Sequence, residues 1–263
     1  MWKREKVSPL EKEWKDLEKK ELQYLDKRVQ KKVSKLNQFL EQKVPVNLQD
    51  TLDRTFSKAF YVIFEKGTAV IEKTYKKEDL ENAYKINEYT MQLKENKKTV
   101  KAFSKKASGT GNLNLLLSGV SGIGLGVLGV GIPDIVLFTG LMLKSVYEIA
   151  LNYGFHYESE EEKKFILLVI QGAVSFGDEL EEINQQLNFF MEKGIYKKPF
   201  ELDYGIEQTA KSLSKELLYM KFLQGIPLVG VAGGAYDVIY MKQVVEYAKM
   251  KYQRRFLVGR RKK

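Results

Sequence analysis

Ser8-Pro9-Leu10-Glu11-Lys12-Glu13-Trp14-Lys15-Asp16-Leu17 reads as the start of an amphipathic helix, and the rest of the chain repeats its logic. Ser8 can cap, Pro9 suits the first helical position because no amide partner is needed there, and Glu11 completes a capping box. Leu10, Trp14, Leu17, Leu25, Val29, Val33, Leu36 and Leu40 then recur mostly at intervals of three or four, up to Pro45. A second helix is expected from near Asn47, with Leu48, Leu52, Phe56, Phe60, Ile63 and Phe64 on one face. A third is expected from about Glu78, through Leu80, Tyr84, Met91 and Leu93 into a lysine cluster. Ser159 and Glu162 form another capping box before Phe165-Ile166-Leu167-Leu168-Val169-Ile170. Shorter amphipathic helices are expected over 178–193 and 203–223. Only five prolines interrupt a chain rich in Lys, Glu and Leu, so helices are favoured over strands. The fold class that follows is all-α, a multi-helix bundle.

Two glycine-rich apolar segments, read as helical hairpin segments, stand apart from this pattern. The first, 115–132, carries no charge and includes Gly122, Gly126 and Gly129; Pro133 then opens a helix that should stop at Gly154, a natural left-handed cap. The second is Gly225-Ile226-Pro227-Leu228-Val229-Gly230-Val231-Ala232-Gly233-Gly234-Ala235. Gly124-x-Gly126-x-x-Gly129 matches the dinucleotide fingerprint in form only, because that motif needs a long helix after it and Pro133 falls four residues on. Small residues at three- and four-residue spacing instead let helix backbones approach closely, which matters most in lipid. A bilayer span needs about 20 apolar residues, and the glycines, Pro133 and Asp134 weigh against one here. Shallow docking is the expected mode, with insertion or a soluble core as alternatives.

Charge is segregated along the chain. The net charge is +10. After Glu95 come Lys97, Lys98, Lys101, Lys105 and Lys106, with no acid until Asp134; after Glu246 come Arg254, Arg255, Arg260 and Arg261 with further lysines and no acid at all. Acids concentrate between residues 155 and 207. Basic residues beside apolar segments gain about 1 kcal/mol each near anionic lipid, and Phe256-Leu257-Val258 between arginine pairs offers a small apolar wedge. The sites expected to contact a membrane or lipid are therefore the five lysines, the four arginines, Gly122, Gly126, Gly129, Gly230 and Gly233.

The chemistry excluded is equally plain. With no cysteine, disulfides, thiolate catalysis and thiolate-bound metals are ruled out. His156 is the only histidine and reads as a loop or interface residue. Glu160, Glu161 and Glu162 suit a helix N-terminus. Asp134 and Asp237 are buried polar candidates because each interrupts an apolar region. No cofactor and no metal is expected, and no nucleic-acid motif accompanies the basic residues.

Gly131-Ile132-Pro133-Asp134, then Ile149-Ala150 to Tyr153-Gly154, and Glu160-Glu161-Glu162 before Phe165-Ile166-Leu167 resemble the EcsC family. So does Ile226 to Ala235, followed by Ala248 and the basic end from Tyr252 to Leu257. The resemblance covers roughly residues 50–258. It suggests an N-terminal amphipathic helix extension over 1–45 and an EcsC-like helical domain over 46–263. Asp237 stands where an Asn is expected. The family takes its name from a gene beside those of an ABC transporter linked to secretion, and has no established catalytic activity. What it implies is a non-catalytic accessory protein, peripheral to the cytoplasmic face of the membrane. Its partners would be anionic lipid and ABC transporter subunits. A soluble helical lipid carrier is the alternative, with a cryptic hydrolase using Asp134 and Asp237 behind it.

Overall fold

In the computed structural model, residues 7–29, 46–109, 133–223 and 234–261 are described. Among them the chain forms nine helices and no strand, an all-α bundle. Helix α1 is Pro9–Val29, and α2 runs through Val46–Val62, a π-helical turn Ile63–Gly67 and Thr68–Glu72. Then come α3 (Lys77–Leu93), α4 (Lys97–Gly109), α5 (Pro133–Asn152), α6 (Glu160–Val174), α7 (Gly177–Lys193), α8 (Leu202–Leu223) and α9 (Gly234–Arg261).

The helix starts follow the sequence signals. Glu11 N donates to Ser8 Oγ at 3.1 Å, and Glu162 N to Ser159 Oγ at 3.2 Å. Pro133 opens α5. Beyond its end, Gly154 takes φ +81°, where an added Cβ would stand 2.3 Å from the Tyr84 ring. Position 154 thus needs glycine twice over, for its left-handed backbone and for the aromatic ring against it.

Two expectations are corrected. The third helix does not continue into the lysines: it ends at Leu93, and a separate helix begins at Lys97. Leu93, the last residue of that helix, is 68% exposed. The apolar wedge is not at the surface either, since Phe256, Leu257 and Val258 are all buried, with Phe256 stacked on Phe103.

Pairwise contacts fix how the helices run. Glu11 meets Arg261, Glu21 meets Lys251, and Tyr24 stacks on Tyr247, so α1 lies antiparallel to α9. Glu162 reaches Arg255, Phe165 packs on Tyr252, and Gly172 lies against Tyr247, so α6 also opposes α9. The Glu216 carbonyl accepts from Tyr240, which sets α8 beside the first turns of α9. The ends at Val29, Val174, Leu223 and Gly234 therefore gather at one end of the bundle. Helix α1 contributes Trp14 and Leu17 to the same hydrophobic core as the other helices.

Helices α5 and α6 form the centre. In α6, Phe165, Ile166, Leu167, Val169 and Ile170 are almost wholly buried. The window Ile135–Asn152 of α5 has the length and apolarity to cross a bilayer, with mean hydropathy 1.4, and 78% of it is buried by its neighbours, as in a core helix. The first glycine-rich segment, and the second as far as Gly233, lie outside the described residues, and with them Gly122, Gly126, Gly129, Gly230 and Gly233.

Candidate functional site

The two basic clusters on which the sequence reading rested are handled in opposite ways. At the first, the chain breaks between α3 and α4 because Asn96 caps the new helix. Its Oδ1 accepts from Lys98 N at 2.8 Å and Thr99 N at 3.1 Å, while Asn96 N donates to Thr99 Oγ1 at 3.1 Å. This reciprocal cap fixes the register of α4. Val100, Phe103 and Ala107 then face the core, and Phe103 packs edge-on against Tyr84 and Tyr153. The opposite face carries Lys97, Lys98, Lys101 and Lys105, all exposed. Among the described residues, no carboxylate lies within ion-pairing distance of these four, and Lys106 Nζ donates to Asn87 Oδ1 at 3.0 Å.

At the second cluster every arginine turns onto a carboxylate. Arg254 Nη1 donates to Glu21 Oε2 at 2.7 Å, and its guanidinium lies 4.7 Å from the centre of the Trp14 ring. Arg255 Nη1 donates to Glu162 Oε2 at 2.6 Å, with its guanidinium over Phe155 and Phe165. Arg260 bonds Glu88, and Arg261, the outermost, sits 3.5 Å from Glu11 and over Trp14. These heads are packed between aromatic faces and acids, an arrangement that suits the planar guanidinium.

One turn earlier, Lys251 is fully buried. Its ammonium donates to Glu21 and Asn184, and to Asn188 at 3.1 Å, joining α1, α7 and α9. Burial pulls the Lys251 ammonium down to about 8, against the opposing pull of Glu21. Burial alone would raise the Glu21 carboxyl, but Lys251 and Arg254 outweigh it and hold the group below its usual range. Sequence reading missed Glu21 and Lys251 as partners because they lie 230 residues apart. It also took Glu162 for helix-end charge only. That carboxylate is buried and accepts from Tyr252 at 2.7 Å as well as from Arg255.

The remaining candidates are dispersed. His156 Nδ1 stands 3.6 Å from Glu81 Oε1 at the surface, bridging the α5–α6 loop to α3. Asp134 and Asp237 occupy the second residue of α5 and the fourth of α9; their side chains lie outside the described residues. Among the described residues, no three His, Asp or Glu side chains are grouped to hold a metal. A shallow cleft of about 190 Å3 lies between Tyr84, Glu88, Tyr153, Arg255 and Arg260. It is smaller than the roughly 300–1,000 Å3 of pockets that enclose drug-sized ligands, and its arginines are already paired. A half-buried hydrogen-bond chain, Tyr75 to Tyr157 at 2.7 Å and Tyr157 to Glu72 at 2.6 Å, ties α2 to the loop after α5. Tyr147 stacks on Tyr157 at 4.0 Å, and burial raises the phenols of both.

The architecture of the described residues is thus a helical bundle closed by buried ion pairs, with an exposed cationic face on α4. The model of the EcsC protein family matches residues 10–257, and the chain belongs to that family. The match begins within α1, further toward the N-terminus than the residues that carried the resemblance. No curated protein matches the chain, and no solved structure does.

Proposed function

We propose that this protein is a non-catalytic accessory protein working at the cytoplasmic face of a membrane, held there by anionic lipid and available to a transporter subunit. The observation that carries the reading is the lysine face of α4. Four ammonium groups stand exposed, without carboxylate partners among the described residues, on a helix whose other face is anchored in the core. Fixed positive charge on a rigid support attracts an anionic surface over a Debye length of about 8–10 Å. The uncharged glycine-rich sequence that follows α4 adds an apolar element next to that charge. The transporter partner is proposed from the family's gene neighbourhood, and the absence of a catalytic role from the lack of any recognisable catalytic pattern.

Fractionation of cells with salt and carbonate washes tests the location, and sedimentation of the purified chain with vesicles tests the ligand. The expected result is binding to phosphatidylglycerol-containing vesicles that weakens with salt, and little binding to phosphatidylcholine alone. Full recovery in the soluble fraction together with no binding to anionic vesicles would reject the proposal.

A further inference from the structure

We infer that the α3–α4 hairpin is the lipid-docking face, with Ile86, Tyr89 and Leu93 entering the headgroup region and the lysines around them holding the lipid phosphates. This rests on the membrane reading above and adds to it a particular surface and orientation. Ile86, Tyr89 and Leu93 are 64%, 61% and 68% exposed, although they belong to a helix that packs on α5, with Met91 buried and Tyr84 against Phe103 and Gly154. Their spacing of three and four places them on one stripe. Isolated apolar side chains on a surface are ordinary. Three in line along two turns, about 10 Å of helix, form a ridge.

The surroundings of the ridge decide its occupant. Residues 85–106 contain seven lysines and two acids. One of those acids, Glu88, is committed to Arg260. Lys106 of α4 reaches across to Asn87 of α3, and Tyr84 packs on Phe103, so the lysine face and the apolar stripe are carried by two helices packed together. Residues 77–109 contain no arginine. Lysine is a mobile point charge suited to a diffuse anionic surface, whereas bidentate recognition of a particular phosphate or carboxylate uses the arginine fork. A convex ridge with a tyrosine between two aliphatic residues suits the flat boundary between headgroups and acyl chains, where tyrosine is favoured. A protein partner or a nucleic acid with the same charge would leave the ridge uncovered or would need its own groove.

The chain has no cysteine, so one introduced thiol reports one position. Tyr89→Cys and Leu93→Cys, each labelled with an environment-sensitive fluorophore, are titrated with phosphatidylglycerol-containing vesicles. Ile195→Cys serves as a control, since Ile195 is 64% exposed between α7 and α8. The expected result is a blue shift and a rise in emission at 89 and 93 and none at 195. Reversal of Lys97, Lys98, Lys101 and Lys105 to Glu should abolish sedimentation, each neutralised lysine weakening binding about fivefold. If the unlabelled chain sediments but the labels at 89 and 93 stay in a wet environment, the hairpin is not the docking face, although membrane binding stands. Unchanged sedimentation of the lysine variant would also overturn the assignment. If the unlabelled chain fails to bind vesicles, or binds an acidic peptide or RNA through these lysines instead, lipid docking and the membrane reading fall together.

Discussion

Helix α4 and the last turns of α9 are alike in sequence, each a run of basic residues with no acid among them. In the fold they are opposites. Among the described residues the α4 lysines stand free of carboxylates on a surface, while Arg254, Arg255 and Arg260 are drawn inward to Glu21, Glu162 and Glu88. The difference shows that a basic cluster is defined by what opposes it in space. It also separates two uses of positive charge. At the end of α9 the arginines close the bundle, where a planar fork between rings and acids has value, and on α4 the lysines face outward.

The comparison breaks most visibly if the inward pairs can be removed without harm. Glu21→Ala should cost about 3–5 kcal/mol in denaturant unfolding, because it strands the buried Lys251 ammonium and Arg254 beside it. The same carboxylate gives the pH dependence its sign. Its folded pKa is depressed, so its contribution is present above its usual value of 4.5 and is lost as pH falls through the folded value. Stability should decline below about pH 4.5, and Glu21→Ala should flatten that part of the decline. On the alkaline side, Lys251 is depressed to about 8 from 10.5, so between those values the unfolded chain holds the extra proton. Wild type should therefore gain stability relative to Lys251→Met as pH rises through that window.

Smaller effects sharpen the outward half. Gly154→Ala should cost about 1–3 kcal/mol from its left-handed backbone, with more from displacing Tyr84, and should lower the melting temperature by loosening α3 from the end of α5. Asn96→Ala should cost about 1 kcal/mol and increase amide exchange in the first turn of α4. Least of all, conversion of Lys97, Lys98, Lys101 and Lys105 to Gln should change unfolding by no more than about 0.5 kcal/mol.

Most helices were legible because capping boxes, Pro133 and Gly154 are local signals, and local geometry obeys them. The break at Asn96 was local too, but the apolar period running through Leu80, Tyr84 and Met91 concealed it. The covered face of α3 was legible in Leu80, Tyr84 and Met91, which recur on one side of the helix; Leu93 falls about half a turn from them and accordingly stays outside. The inward turn of the C-terminal arginines was hidden for another reason. Their partners, Glu21, Glu88 and Glu162, are 93 to 233 residues away, and neither composition nor period carries that pairing. The same distance concealed the role of Glu162, whose position in a capping box accounts for its backbone and not for its side chain.

The most direct test sets the two basic clusters against each other in one experiment. Vesicle sedimentation and thermal melting are measured for the four-lysine Gln variant and for Arg255→Met. The lysine variant should melt like wild type and lose its binding to phosphatidylglycerol vesicles. Arg255→Met should melt lower and, kept folded at low temperature, bind as wild type does. Retained binding by the lysine variant, or lost binding by a folded Arg255→Met, would contradict the division of roles.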